Sequence, residues 1–328
     1  AAFRLYLVAS VLQIAFFDVY GIPFSVTVVV SIALIWIYTF RGGIKTIVWT
    51  DTLQTAFLIT AVILTIISIS KSLGWNFSEM ITQIGRNPLS DIFTWEWKSG
   101  NNFYKQFFAG ICITLVMVGM DQDMMQKNLT CKNLKDAQKN MMVFSLAFLV
   151  TVFLFLCLGV LLYMYANNFG LEIPGVSDDL YPWLAFNHFG TVAGIAFLLG
   201  VSAAAYSSAD SALTALTTTL NVDFLPFEKY SESRKVKVRI ASHLMFSILL
   251  IFIIIIFRII NNQSVVVAVF KVAGYTYGPI LGLFIFGLLF KRKVRDRWVP
   301  FIAIAAPAFS YLISVNSEKW LWGYSFGF

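Results

Sequence analysis

Gly200-Val-Ser-Ala-Ala-Ala-Tyr-Ser-Ser-Ala-Asp-Ser-Ala-Leu-Thr214 lies inside a long apolar segment, roughly 192–220. A helix over that segment puts Ala204, Ser207, Ser208 and Ser211 at i, i+3, i+4 and i+7, on one face. The face carries small residues and hydroxyls, and Asp210 stands beside it. Small residues let membrane helices pack closely, and serine hydroxyls bond back to their own helix. A carboxylate at membrane depth is different. It costs about 2.5–3.5 kcal/mol on insertion scales and reads as functional. Hydroxyls, carbonyls and a carboxylate are the oxygen ligands that hard cations such as Na⁺ prefer.

Composition makes the rest of the chain a membrane protein. Of 328 residues, 59% are hydrophobic and only 12% charged, with a mean hydropathy of +0.77. A soluble domain of this length cannot bury so much apolar side chain behind so few charges. The apolar runs are long and continuous, so helices are expected rather than the alternating strands of a membrane barrel. The net charge of +7 gathers in a few loops, as cytoplasmic loops do, and does not call for nucleic acid. The three cysteines, Cys112, Cys131 and Cys157, have no metal-ligand spacing, and the two histidines, His188 and His243, lie far apart. No catalytic constellation is present, so an enzyme is not expected.

Nine spans follow, at roughly 5–17, 24–40, 44–69, 103–120, 141–165, 192–220, 241–260, 265–290 and 299–315. Placing Arg4 in the cytoplasm and alternating puts every basic loop on one side. The Arg41/Lys45 turn and the loops Lys127–Lys139, Lys229–Arg239 and 291–297 fall inside. The loops around Asp18, 71–102, Glu172–Asp179 and 261–263 fall outside, as the positive-inside bias requires. The chain starts with Ala1 inside an apolar run, which reads as a missing N-terminal segment. No nucleotide-binding glycine loop is present, so ATP is not the expected energy source.

Several charges lie inside spans. Asp51 follows Trp49-Thr50 in the third, Asp210 is in the sixth and Lys271 in the eighth. Each needs a partner or water. Lys271 can be a counter-ion to Asp51 or Asp210, or a receptor for an anionic solute. Arg258 reads as snorkelling to the outer interface. Asp121 and Asp123 sit where they can bond the adjacent basic loop or take part in gating. The eighth span is expected to break near Gly274 and Gly278-Pro279, and broken helices at membrane depth are where transporters place sites.

Tyr38-Thr-Phe-Arg-Gly-Gly-Ile-Lys-Thr-Ile-Val-Trp-Thr-Asp-Thr-Leu-Gln54 resembles the Gly-Gly…Trp-Thr-Asp-x-x-Gln signature of the sodium:solute symporter family. Ser207-Ser-Ala-Asp-Ser-Ala-Leu213 with Val222-Asp-Phe224 resembles its Ser-Ser…Asp helix. Gly119-Met-Asp-Gln-Asp-Met-Met-Gln-Lys127 and Gly278-Pro…Phe290-Lys-Arg292 are similar to its later segments, in the family's order.

The resemblance implies an all-α, polytopic leucine-transporter-type bundle built from an inverted repeat of two five-helix units. On that order, residues 1–70 hold the last three core helices of the first repeat and 71–102 an extracellular loop. Residues 103–290 hold the second repeat, and 291–328 an additional helix and the start of a C-terminal extension. The first two core helices would precede this chain. The main Na⁺ site resembles the Ala204 carbonyl with the hydroxyls of Ser207 and Ser208, completed by carbonyls of the first core helix. A second Na⁺ maps to Asp51, Asp210 and Ser211. Lys271, Tyr275, Asp121 and Gln122 are the candidates for substrate contact or gating. The sugar-transporting branch has polar residues where this chain has Thr114-Leu-Val-Met-Val118, so a sugar is disfavoured.

The resulting expectation is a multi-pass protein of the cell membrane that couples Na⁺ to a small organic solute by alternating access. The rivals are a transport-inactive sensor on the same fold and a proton-coupled carrier that uses Asp51 or Asp210.

Overall fold

The structure, a computed structural model, describes residues 2–39, 44–260, 264–290, 295–320 and 322–324; the side chains of 37–39, 44–51, 122–123 and 126–127 lie outside that description. The described residues form twelve α-helices and one isolated bridge, Thr94 to Asn102. Seven helices are long and apolar enough to cross a membrane, and Phe24–Trp36 and Phe103–Gly119 are shorter apolar helices. These nine segments coincide with the nine expected spans. The chain divides into two compact units, 1–87 with 142–264, and 88–141 with 265–328.

The first unit holds α1 (Ala2–Leu12), α2 (Phe24–Thr39), α3 (Ile44–Leu73), α4 (Phe77–Arg86), most of α7 (Leu134–Asn168), α8 (Leu180–Asn187), α9 (Gly190–Thr219) and α10 (Glu232–Ile260). Helix α1 ends in a wide turn, Gln13–Phe17, and a tight one, Asp18–Tyr20. Gly21, at φ 62°, reverses the chain, and Pro23 leads into α2. Buried Gln13 staples this corner. Its amide donates to Asp18 Oδ1 at 2.6 Å and to the Ile22 carbonyl at 2.7 Å, and its oxygen accepts from Thr27 of α2.

Helix α9 is the spine of this unit. It packs along α3, α1, α10 and α8. The core joins Val62 and Ile69 of α3 to Leu158 and Leu161 of α7, Leu184 of α8 and Ala193 and Phe197 of α9. Helices α3 and α9 approach closely at Gly200, where an added Cβ would stand 2.9 Å from the Leu58 nitrogen and 3.0 Å from its Cα. Only a residue without a side chain lets the two backbones meet. Seven residues further along α3, Thr65 bonds the Tyr181 hydroxyl at 2.9 Å, and that ring packs on Phe197. Phe197 precedes Gly200, so α3 and α9 run antiparallel.

At the end of the unit that the sequence assigns to the outside, charges from several segments gather. Arg258 of α10 donates to the Tyr6 hydroxyl at 3.3 Å and lies 4.9 Å from the Phe24 ring centre. Arg258 is exposed near the end of α10, as snorkelling requires, and is also tied to α1 and α2. Asp178 accepts from Ser264 at 3.3 Å. Half-buried Asp179 has its carboxyl pushed above the ordinary range, first by burial and then by Asp178 and Asp18, with Arg258 opposing. A raised carboxyl pKa penalises the folded state once pH climbs above the unfolded value of 3.8, and the penalty is complete above the folded pKa. Asp179→Asn is therefore expected to raise the melting temperature at neutral pH. The gain should disappear as pH falls toward 4, as read by melts at several pH values in detergent.

The second unit holds α5 (Phe103–Gly119), α6 (Gln122–Leu129), α11 (Val265–Leu289) and α12 (Val299–Trp320). Helix α11 packs on α5 and α12. The expected break in α11 is absent. It runs unbroken from Val265 to Leu289 with Pro279 inside it. Proline has no N–H, so the Tyr275 carbonyl loses its helical donor, yet the flanking turns carry the helix through. At the N-terminus of α5, Asn102 accepts from the Lys105 nitrogen at 3.3 Å and donates to the Glu96 carbonyl at 3.2 Å, and the rings of Phe93 and Trp95 pack on Phe103.

Candidate ion-binding site

Ala204, Ser207, Ser208 and Ser211 lie in the middle of α9, on one face, as the spacing predicts. All four are half-buried. A hydroxyl or carbonyl with access at such a point can donate an oxygen to a cation without a large rearrangement. Asp51 belongs to the first turns of α3, and its side chain lies outside the described residues. Its place along the helix is defined by the backbone. Asp51 is seven residues from Leu58, and Ser207 is seven residues from Gly200. With the helices antiparallel from that contact, both lie about 10 Å along in the same direction. Asp51 thus comes level with Ser207.

Asp210 is 6% exposed. It accepts from Thr214, one turn on, at 3.5 Å, and His243 of α10 is within its electrostatic reach. His243 also meets Thr217 at 3.4 Å and packs edge-on against Trp36 of α2 at 4.8 Å. Trp36 in turn donates to Ser247 at 2.9 Å. Asp210 and Ser211 are neighbours in sequence and so stand about 100° apart around α9. The structure thus engages Asp210 on the side of α9 that meets α10 and α2. Sequence reasoning did not pair it with His243, because 33 residues separate them and no periodic signal links them.

A second residue that pattern reading missed is Arg4. It was expected in the cytoplasm. Instead its Nη1 donates to Ser208 Oγ at 3.1 Å. Ser208 is eleven residues from the C-terminal end of α9, about 17 Å along its axis. Arg4 therefore belongs to the bundle and faces the candidate ligands. An arginine near a helix terminus in sequence reads as a loop charge; only the packing of α1 on α9 reveals its depth.

The remaining candidates lie in the second unit. Lys271 is exposed on α11. The Tyr275 hydroxyl donates to Ser314 of α12 at 3.0 Å, and its ring packs edge-on with Tyr311. Exposed Asp121 caps α6, accepting from the Met124 nitrogen at 3.1 Å. Gln122 opens α6, and its side chain lies outside the described residues. Among the described residues no group of three or more His, Cys, Asp and Glu side chains could hold a metal ion.

Among the described residues, seven helices long and apolar enough to cross a membrane and two shorter apolar ones make a polytopic membrane protein. The profile of the Sodium:solute symporter family matches residues 2–296, and the chain belongs to that family. It is 24% identical over 287 residues to the "Sodium-coupled monocarboxylate transporter 2" of Mus musculus, covering 85% of this chain and 45% of that protein. It is also 24% identical over 281 residues to the "Sodium/sialic acid symporter SiaT" of Proteus mirabilis, covering 83% of this chain and 56% of that one. The chain thus spans about half the length of these relatives. A Na⁺-coupled sialic acid symporter solved in a substrate-bound outward-open state shares the fold. Its TM-score is 0.68 at 21% identity, over 99% of this chain and 68% of that one.

Proposed function

We propose that this protein is a sodium-driven symporter of a small organic anion in the cell membrane. The observation that carries this reading is the mid-helix oxygen face of Ala204, Ser207 and Ser208 with the Arg4 guanidinium set against it. The oxygens suit a hard monovalent cation. The guanidinium suits a carboxylate, which it can engage through two parallel hydrogen bonds. Relatives named for monocarboxylates and for sialic acid support an anionic solute.

In this mechanism Na⁺ binds at Ala204, Ser207 and Ser208 together with carbonyls of a preceding core helix. A second Na⁺ is assigned to Asp51, Asp210 and Ser211; the register that brings Asp51 level with Ser207 supports the part of Asp51, whereas Asp210 has to turn from the α10 side of α9 to join it. Ion binding favours the outward-open state, the solute binds beside it, and one helix bundle rocks against the rest to open the other side. Lys271, Tyr275, Asp121 and Gln122 serve substrate contact or gating. Each ion moving down ~100 mV releases about 2.3 kcal/mol, before any concentration gradient.

The test uses the intact protein in proteoliposomes loaded with potassium. An inward sodium gradient is expected to drive uptake of a labelled monocarboxylate, and choline in place of sodium is expected to remove it. Equal uptake in choline would refute sodium coupling.

A further inference from the structure

We infer that Arg4 and the coupling ion are alternative occupants of Ser208, so that Arg4 is a built-in competitor that sets ion affinity and links it to the anion. The inference rests on the sodium reading above. Three observations carry it.

The first is the bond itself. Arg4 Nη1 lies 3.1 Å from Ser208 Oγ, the oxygen assigned to the ion. Hard cations sit about 2.3–2.6 Å from their oxygens. The guanidinium nitrogen and an ion on the same oxygen would then be no more than about 5.7 Å apart. Two positive charges that close repel each other, although the hydroxyl has lone pairs enough for both.

The second is what Arg4 otherwise touches. Among the described residues its polar partner is Ser208, a neutral hydroxyl. A charge at that depth is stabilised far better by an anion. A long side chain with several rotatable bonds lets the guanidinium leave the hydroxyl when one arrives.

The third is how α1 is held. Phe3 and Tyr6 pack edge-on against Phe257 of α10 at 4.6 and 5.0 Å, on either side of Arg4 in sequence. The α1 backbone is thereby fixed, and the guanidinium moves by rotation of its own side chain. A sodium ion at Ser208 would displace it toward an incoming carboxylate. A carboxylate that captures it would clear Ser208 for the ion. Each ligand thus raises the affinity for the other, by the same factor.

Sodium affinity of the intact protein in detergent, read from tryptophan fluorescence at constant ionic strength with choline, tests this without transport. Arg4→Gln is expected to tighten sodium binding tenfold or more, and Arg4→Met, a second uncharged variant, likewise. A saturating monocarboxylate is expected to tighten sodium binding to the wild type but not to either variant. In a Ser208→Ala background the Arg4 substitutions should tighten it much less, because the shared oxygen is gone. Unchanged or weaker sodium binding in both Arg4 variants, while Ser207→Ala with Ser208→Ala still weakens it, would overturn the competition alone. Equal tightening with and without Ser208 would overturn it too, by reducing Arg4 to a distant charge. Sodium binding that ignores both serines would remove the ion site and the inference with it.

Discussion

Ser207→Ala together with Ser208→Ala is expected to abolish sodium-dependent uptake while leaving the protein folded. Each substitution removes one oxygen and adds nothing. Both side chains are half-buried on α9, and Ala204 and Ala209 show that alanine suits these turns. The stability change should stay within about 1 kcal/mol, the range of substitutions that leave no cavity or unpaired buried group. The effect on the ion is much larger, because a cation that loses two ligands in a partly dry site recovers them only from water. The expected result is a rise of more than tenfold in the sodium concentration for half-maximal uptake for each single variant, and background uptake for the pair. Melting curves alongside separate this from misfolding. Sodium-dependent uptake that survives in the double variant would place the ion elsewhere.

Gly200→Leu is expected to have the opposite profile, a failure of folding with function lost as a result. Even the first carbon of a side chain here would lie 2.9 Å from the Leu58 nitrogen and 3.0 Å from its Cα. Those are backbone atoms of α3 and cannot rotate away. Forcing extra carbon into such a contact costs about 1–3 kcal/mol or more. Gly200→Ala should therefore melt several degrees below the wild type, and Gly200→Leu should give little folded protein. Gly282→Ala in α11 is the control: nothing stands within 4 Å of that position, and alanine is the better helix former by up to about 1 kcal/mol. Melting temperatures in detergent check all three. A Gly200→Ala protein as stable as the wild type would mean that α3 and α9 separate easily, and the register linking Asp51 to Ser207 would lose its basis.

The spans were legible because lipid imposes long apolar runs, and the loops because their charge is sorted by side. Helix ends were not. Helix α7 begins at Leu134 and α10 at Glu232, several residues before their apolar runs, so Lys135 and Arg234 belong to helices rather than loops. Hydropathy marks where lipid begins, whereas a helix continues until a cap or a breaker stops it. Helices α4 and α8 were missed because they are short and lie in stretches read as loops. The first is signed by its capping box, in which Asn76 and Glu79 each accept from the other's backbone nitrogen at 2.9 Å. The Ala204–Ser211 face followed from spacing alone. Arg4 and His243 did not, since their meaning lies in contacts between helices far apart in sequence. Pro279 misled for a different reason: a proline removes one bond from a helix, and an apolar helix with sound turns on both sides tolerates that.

The unbroken α11 has a mechanical consequence. The missing bond at Pro279 leaves one compliant turn, and Tyr275, whose carbonyl lost its donor, is the residue whose hydroxyl is fastened to Ser314 of α12. Helix α12 therefore acts as a splint across the weakest joint of its neighbour. Any bending of α11 at that joint must first unfasten Tyr275 or carry α12 along.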